Sequence, residues 1–119
     1  PYPMTVANGT GIEKGALLTL SDPNTAALCT TSGAATAGIA AGEKIASDGN
    51  TKLNVHRRGW HKVTLSGSGT VGNYVQFEGG NVVIEANSTS DTFYAGILLE
   101  TGTNGETVMM ELCPGKLVN

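Results

Sequence analysis

The chain has 119 residues, a net charge of −3 and only 5% aromatic residues, which bounds it to one domain of ordinary size and leaves no long-range positive field to gather phosphates. Nucleic acid is therefore not an expected partner. No apolar run approaches the ~20 residues of a spanning helix and the N-terminus carries no secretory pattern, so neither membrane nor export is expected.

Seventeen Gly and four Pro, without a collagen-like period, interrupt any helix, while the Val, Ile, Leu and Thr between them favour strands. The expected fold class is all-β: a small Gly-rich antiparallel β-barrel or sandwich, with residues 1–10 as an extended N-terminal arm and residues 11–119 as a single β domain. Its core must come mainly from Val, Leu, Ile and Ala, the larger of which contribute about 1.5–3 kcal/mol each on burial. Such a core is thin, and assembly would supplement it.

In chain order, Pro1 to Asn8 holds two prolines that disfavour both helix and central strand, and it reads as an arm: either a frayed end or a segment that adds to a partner's sheet edge. Ala16 to Leu20 reads as a strand closed by the Ser21-Asp22-Pro23-Asn24 turn. Thr25 to Thr36 is small and polar and reads as a loop or irregular edge. From Ala37 to Val83 short apolar-alternating runs are cut by Asp48-Gly49 and Arg58-Gly59, the pattern of a β-meander. Further on, Val75 and Phe77 alternate with Tyr74, Gln76 and Glu78. Phe93, Ala95, Ile97 and Leu99 fall on one strand face, and Val108, Met110 and Leu112 face away from Thr107, Met109 and Glu111. Ala37-Gly38-Ile39-Ala40-Ala41-Gly42-Glu43 is echoed by Ala95-Gly96-Ile97-Leu98-Leu99-Glu100, two strands that are paired or pseudo-symmetric in one sheet.

Chemistry finds little footing. Phosphate loops, nucleophile elbows, zinc-protease and calcium-loop motifs are all missing. Cys29 and Cys113 sit in no metal or redox spacing and read as buried thiols, with a disulfide open if their strands adjoin. His56 and His61 flank Arg57-Arg58-Gly59-Trp60 and converge on a metal only with a third ligand the sequence does not signal. A Cys–His nucleophile pair has nothing positive behind it. No cofactor, no metal and no enzymatic activity are expected. Arg57 and Arg58 read as solvated charge or as a basic contact, Trp60 as a stacking platform or an interface residue, and Met109 as an exposed side chain or a subunit contact.

Taken together, Leu17-Leu18-Thr19-Leu20, Ala37-Gly38-Ile39-Ala40, the Asp48-Gly49 turn, Leu53-Asn54-Val55 leading to Arg58-Gly59, and Ala95 to Glu100 followed by Val108 to Leu112 resemble the tailed-phage head decoration (capsid cement) proteins. The likeness covers nearly the whole chain and rests on pattern. It implies a homotrimer, made in the host cytoplasm, that binds the major capsid protein on the outer surface of the virion head and stabilises it against DNA pressure. It also implies capsid binding by Pro1, Tyr2, Pro3, Met4, Thr5 and Val6, while Arg57, Arg58, Trp60 and Met109 are candidate interface residues. The alternative is a carbohydrate- or surface-binding β-domain that stacks ligands on Trp60, Tyr74 and Tyr94.

Overall fold

Turns set where the chain reverses, and alternating apolar residues set which side of each strand faces inward. The computed structural model describes residues 2–86 and 92–117. Along them run β1 (Tyr2–Thr5), β2 (Leu17–Ser21), β3 (Thr25–Leu28), β4 (Thr36–Ala40), β5 (Lys52–His56), β6 (Gly59–Thr64), β7 (Tyr74–Glu78), β8 (Val82–Glu85), β9 (Thr92–Leu98) and β10 (Thr107–Leu117). The first five close into a barrel, β1-β3-β2-β4-β5, and the others form a five-stranded sheet, β6-β10-β9-β7-β8. The all-β expectation is met.

The two sheets are one unit used twice. Followed from β1 through its seam with β5, the barrel reads β1-β5-β4-β2-β3, and the second sheet takes the same path with β6, β10, β9, β7 and β8. Registers agree as well. Leu17 lies opposite Ile39 and Leu18 opposite Gly38, as Tyr74 lies opposite Ile97 and Val75 opposite Gly96. The Gly15 amide donates to Ala40 O at 2.9 Å, and the Gly72 amide to Leu98 O at 2.8 Å. Asn24 and Asn81 take the same left-handed turn, with φ of 45° and 60°. The parallel seam Thr5–Thr25 of the barrel has its counterpart in the parallel bridge Leu65–Val83. The Ala-Gly-Ile echo therefore marks β4 and β9 at matching places in two units, rather than two strands of one sheet.

Each unit has its own interior, and that of the second unit extends onto the outer side of the barrel. Met4, Val6, Leu18, Ala37, Ala40, Leu53 and Val55 fill the barrel. The core of the second unit, which includes Val63, Leu65, Val75, Phe77, Leu98, Met110 and Leu112, also takes in Leu17, Cys29 and Ile39 from the outer side of the barrel. Polar contacts fix the joint: the Leu17 amide donates to Asn81 Oδ1 at 3.2 Å, Gly33 N–H to Phe77 O at 3.1 Å, and Gln76 Nε2 to Ser32 Oγ at 2.7 Å.

Four expectations change. The N-terminal segment is extended, but its partner is its own chain. Residues Tyr2 to Thr5 pair antiparallel with β5 from Val55 to Lys52 and close the barrel, while residues 6–10 continue as irregular chain. Pro3 is tolerated because the other neighbour, β3, meets β1 only at Thr5, so the missing amide faces no ladder. Thr25–Leu28 is a strand, not a loop, although its small residues carry little β signal. The meander breaks after β5: β4 pairs with β5, but β6 leaves to pair with β10, so Arg57-Arg58 links two units instead of closing a hairpin. In β9 the inward residues are Ala95 and Leu98, while Phe93 is exposed and Ile97 and Leu99 half-buried. The simple alternation fails across Gly96, where a Cβ would run into the carbonyl oxygen of Glu111.

Candidate interaction surfaces

Strand pairing places side chains side by side when their residues face each other across a ladder. On the outward side of the second sheet Trp60 lies beside Glu111, Glu111 beside Ile97 and Ile97 beside Tyr74. Trp60 is 69% exposed and Tyr74 40%. One step along the strands, Lys62 lies beside Met109, and Leu99 donates its amide to Met109 O at 2.9 Å. This makes a row of aromatic and aliphatic side chains across four strands, with the Glu111 carboxylate in it and the Lys62 ammonium beside it.

A second surface lies at the end of the barrel where β1 begins and β2 ends. A depression of about 410 Å³ there is lined by Tyr2, Pro3, Met4, Leu20, Asn24 and Arg57. Beside it, one of about 240 Å³ includes Leu20, Thr36, Arg57, Phe93 and Lys116. Arg57 is held by its guanidinium, which donates to Thr36 O at 3.1 Å and Ala37 O at 2.8 Å. Thr36 is buried at 4% exposure, and its hydroxyl has no hydrogen-bond partner among the described residues.

The residues singled out in the sequence divide between these surfaces and the core. Pro1 lies outside the described residues. Tyr2 and Pro3 are exposed, whereas Met4 and Val6 are buried at 6% and 2% and are closed to a partner because they fill the barrel. Thr5 Oγ1 accepts a hydrogen bond from Lys52 Nζ at 2.9 Å. Arg58 is exposed and donates to Arg57 O at 3.0 Å. Trp60 and half-buried Met109 share the outward face of the second sheet, and Arg57 stands apart at the barrel end. Ile97 and Leu99 were missed as surface residues because the alternating pattern grouped them with Ala95 on one strand face.

The candidate chemical groups do not assemble. The His56 and His61 rings stand 5.1 Å apart, and His61 Nε2 lies 3.1 Å from Arg58 O, but among the described residues no three His, Cys, Asp or Glu side chains come together as a metal site would need. Both cysteines are free thiols. Burial pushes the Cys29 thiol up, against a hydrogen bond to Thr31 O, and burial likewise raises Cys113, a direction that disfavours the thiolate a nucleophile needs. Tyr74 and Tyr94 form a tilted pair with ring centroids 4.5 Å apart. Trp60 is three strand spacings from Tyr74 and two from Tyr94, about 14 and 10 Å at the usual inter-strand distance, too far to share one sugar ring with them.

Burial lowers the pKa of His56, and the neighbouring His61 adds to the shift. Because the folded His56 binds a proton less readily than the unfolded one, folding loses stability as pH falls through about 6.5 toward the lowered folded value, and is unaffected by His56 above that window. A melting temperature lower at pH 5.5 than at pH 7.5 is expected, with the difference reduced in His56→Gln. An unchanged difference in that variant would assign the effect to other groups.

The fold defines a class: a small all-β protein made of two like five-stranded units. Comparison with protein-family models found no match, and comparison with curated proteins found none.

Proposed function

We propose that this chain is an oligomeric capsid decoration protein that binds the outer surface of an expanded phage head and braces it against internal pressure. The observation that carries the reading is the row Trp60–Glu111–Ile97–Tyr74, since an aromatic and aliphatic strip across an outer sheet face is the composition of a protein–protein contact. The sequence resemblance supplies the capsid as partner. A repeated β framework also suits bracing, because closing a barrel removes exposed sheet edges that would otherwise recruit strands indiscriminately. Contact through the N-terminal segment narrows to Tyr2 and Pro3, the exposed residues of β1.

Deleting the N-terminus is not an informative test, because it would remove a barrel strand. The test is co-sedimentation of the whole protein with expanded, decoration-free heads, beside Tyr2→Ser, whose side chain is 57% exposed. Saturable pelleting is expected, with affinity at least several-fold weaker for the variant. Failure of the whole protein to pellet at micromolar excess would overturn the reading and turn attention to glycan binding.

A further inference from the structure

Within the chain, one contact joins the two units. The outer side of the barrel, through Leu17, Cys29 and Ile39, is covered by the second unit, with the Asn81 side chain of the β7–β8 turn holding the Leu17 amide. Because the units repeat, each half of this contact has a counterpart that the described residues leave open. By register, the counterparts of Leu17, Cys29 and Ile39 are Tyr74, Ala86 and Ile97: Tyr74 and Ile97 pair as Leu17 and Ile39 do, and the amides of Cys29 and Ala86 donate to Leu17 O and Tyr74 O. The counterpart of Asn81 is Asn24, with the same left-handed backbone. Asn24 lies in the barrel-end depression with Leu20 and Arg57.

We propose that the Trp60–Ile97–Tyr74 face is the docking site for a second copy of this chain, whose barrel end, with Leu20, Asn24 and Arg57, covers it as the second unit covers the barrel within one chain. Two observations favour a copy over any other occupant. The same unit already makes this contact once, so the shapes are available. Charges are complementary: the face carries exposed Glu111 where its covered counterpart carries His56, as their shared register with Ile97 and Ile39 shows, and the barrel end carries Arg57.

Such a contact joins two different surfaces, so it repeats head to tail and must close into a ring or run on as a filament. It deepens the oligomeric half of the proposed function and needs no capsid, so its test is separate from the co-sedimentation. In sedimentation velocity, the protein is expected to run as an oligomer well above the 12.1 kDa of one chain. Ile97→Asp spoils the face and Arg57→Glu the barrel end, and each variant alone is expected to sediment as a single chain. An equimolar mixture retains one intact face and one intact barrel end, and should give a two-chain species that grows no further. A chain carrying both Glu111→Arg and Arg57→Glu should assemble again, which shows that Arg57→Glu alone failed at the contact and not in folding. A monomeric parent protein, variants that assemble as the parent does, a mixture that stays monomeric, or no recovery in the doubly exchanged chain would each overturn the proposal.

Discussion

Gly38→Ala is expected to leave the protein largely unfolded or insoluble. Gly38 sits in β4 at a φ of 143°, a conformation L side chains rarely adopt. An added Cβ would overlap the carbonyl oxygen of His56 and approach Val55 Cγ1 to 2.9 Å. Neither obstacle can swing aside, because the carbonyl belongs to the backbone of the neighbouring strand and Val55 is fully buried in the barrel. Relief requires β4 and β5 to part, and with them the barrel. A cost above about 4 kcal/mol is the range reserved for such steric conflicts, against a whole-domain stability of about 5–15 kcal/mol. Gly42→Ala is the control: nothing lies within 4 Å of its Cβ position, and a change within about ±0.5 kcal/mol is expected for a free surface site. Urea denaturation of both variants checks the pair, and equal midpoints would refute the account of the close approach.

Lys44→Ala is expected to cost about 2–5 kcal/mol, the range for truncating a large buried side chain. Lys44 is 2% exposed, a rare state for a lysine, and it is held by three acceptors: Asn8 O and Ile45 O, both at 3.0 Å, and Asp48 Oδ1 at 2.8 Å. One ammonium thus ties the chain leaving β1 to the turn before β5. Lys44→Met keeps the aliphatic stem and loses the three bonds, so it should cost less than Lys44→Ala yet remain clearly destabilising, because the two backbone oxygens lose their donor. The Lys44 hydrogen bond is also the first cause holding the Asp48 carboxyl below its ordinary value. Its contribution is present above about pH 4 and is lost as pH falls through the lowered value. Thermal melts of the two variants decide the matter: if Lys44→Met matches or exceeds the parent, the ammonium contributes nothing and only the stem matters.

These two residues show what a single sequence makes legible here. Fold class was readable because alternation in β7 and β10 survives into the structure: Val75, Phe77, Val108, Met110 and Leu112 are all buried. The Ala-Gly-Ile echo was visible too, but its reach was not. Its second element pair, Ala26 against Val83, shares a buried position without sharing side-chain size, so β3 looked like a loop while β8 looked like a strand. Gly38 and Gly96 could be seen as strand glycines, yet the carbonyls that forbid a side chain there come from residues far along the chain. Lys44 was hidden for a similar reason, because its acceptors include Asn8, which nothing local connects to it. For the surface, Trp60 and Met109 were found as interface candidates by residue type. Ile97 and Leu99 were not, because the strand steps at Gly96 and exchanges the faces that strict alternation assigns. The prolines of the N-terminus pointed to an arm because the position that tolerates Pro3, beside a ladder that stops short, is a property of the whole barrel.

The short link Arg57-Arg58 between the two units has an evolutionary consequence. When identical chains assemble, every contact between them is a copy of every other, and a substitution that improves one alters all. Joining two units end to end by a covalent tie removes that constraint, since the seam inside the chain and any seam between chains are then encoded by different residues. Leu17, Cys29 and Ile39 form a covered, apolar set, while Tyr74, Ala86 and Ile97, with Trp60 and Glu111 beside them, form a more exposed and charged one. Two equivalent surfaces are thereby free to differ, one holding the two units together and the other able to change without disturbing that seam.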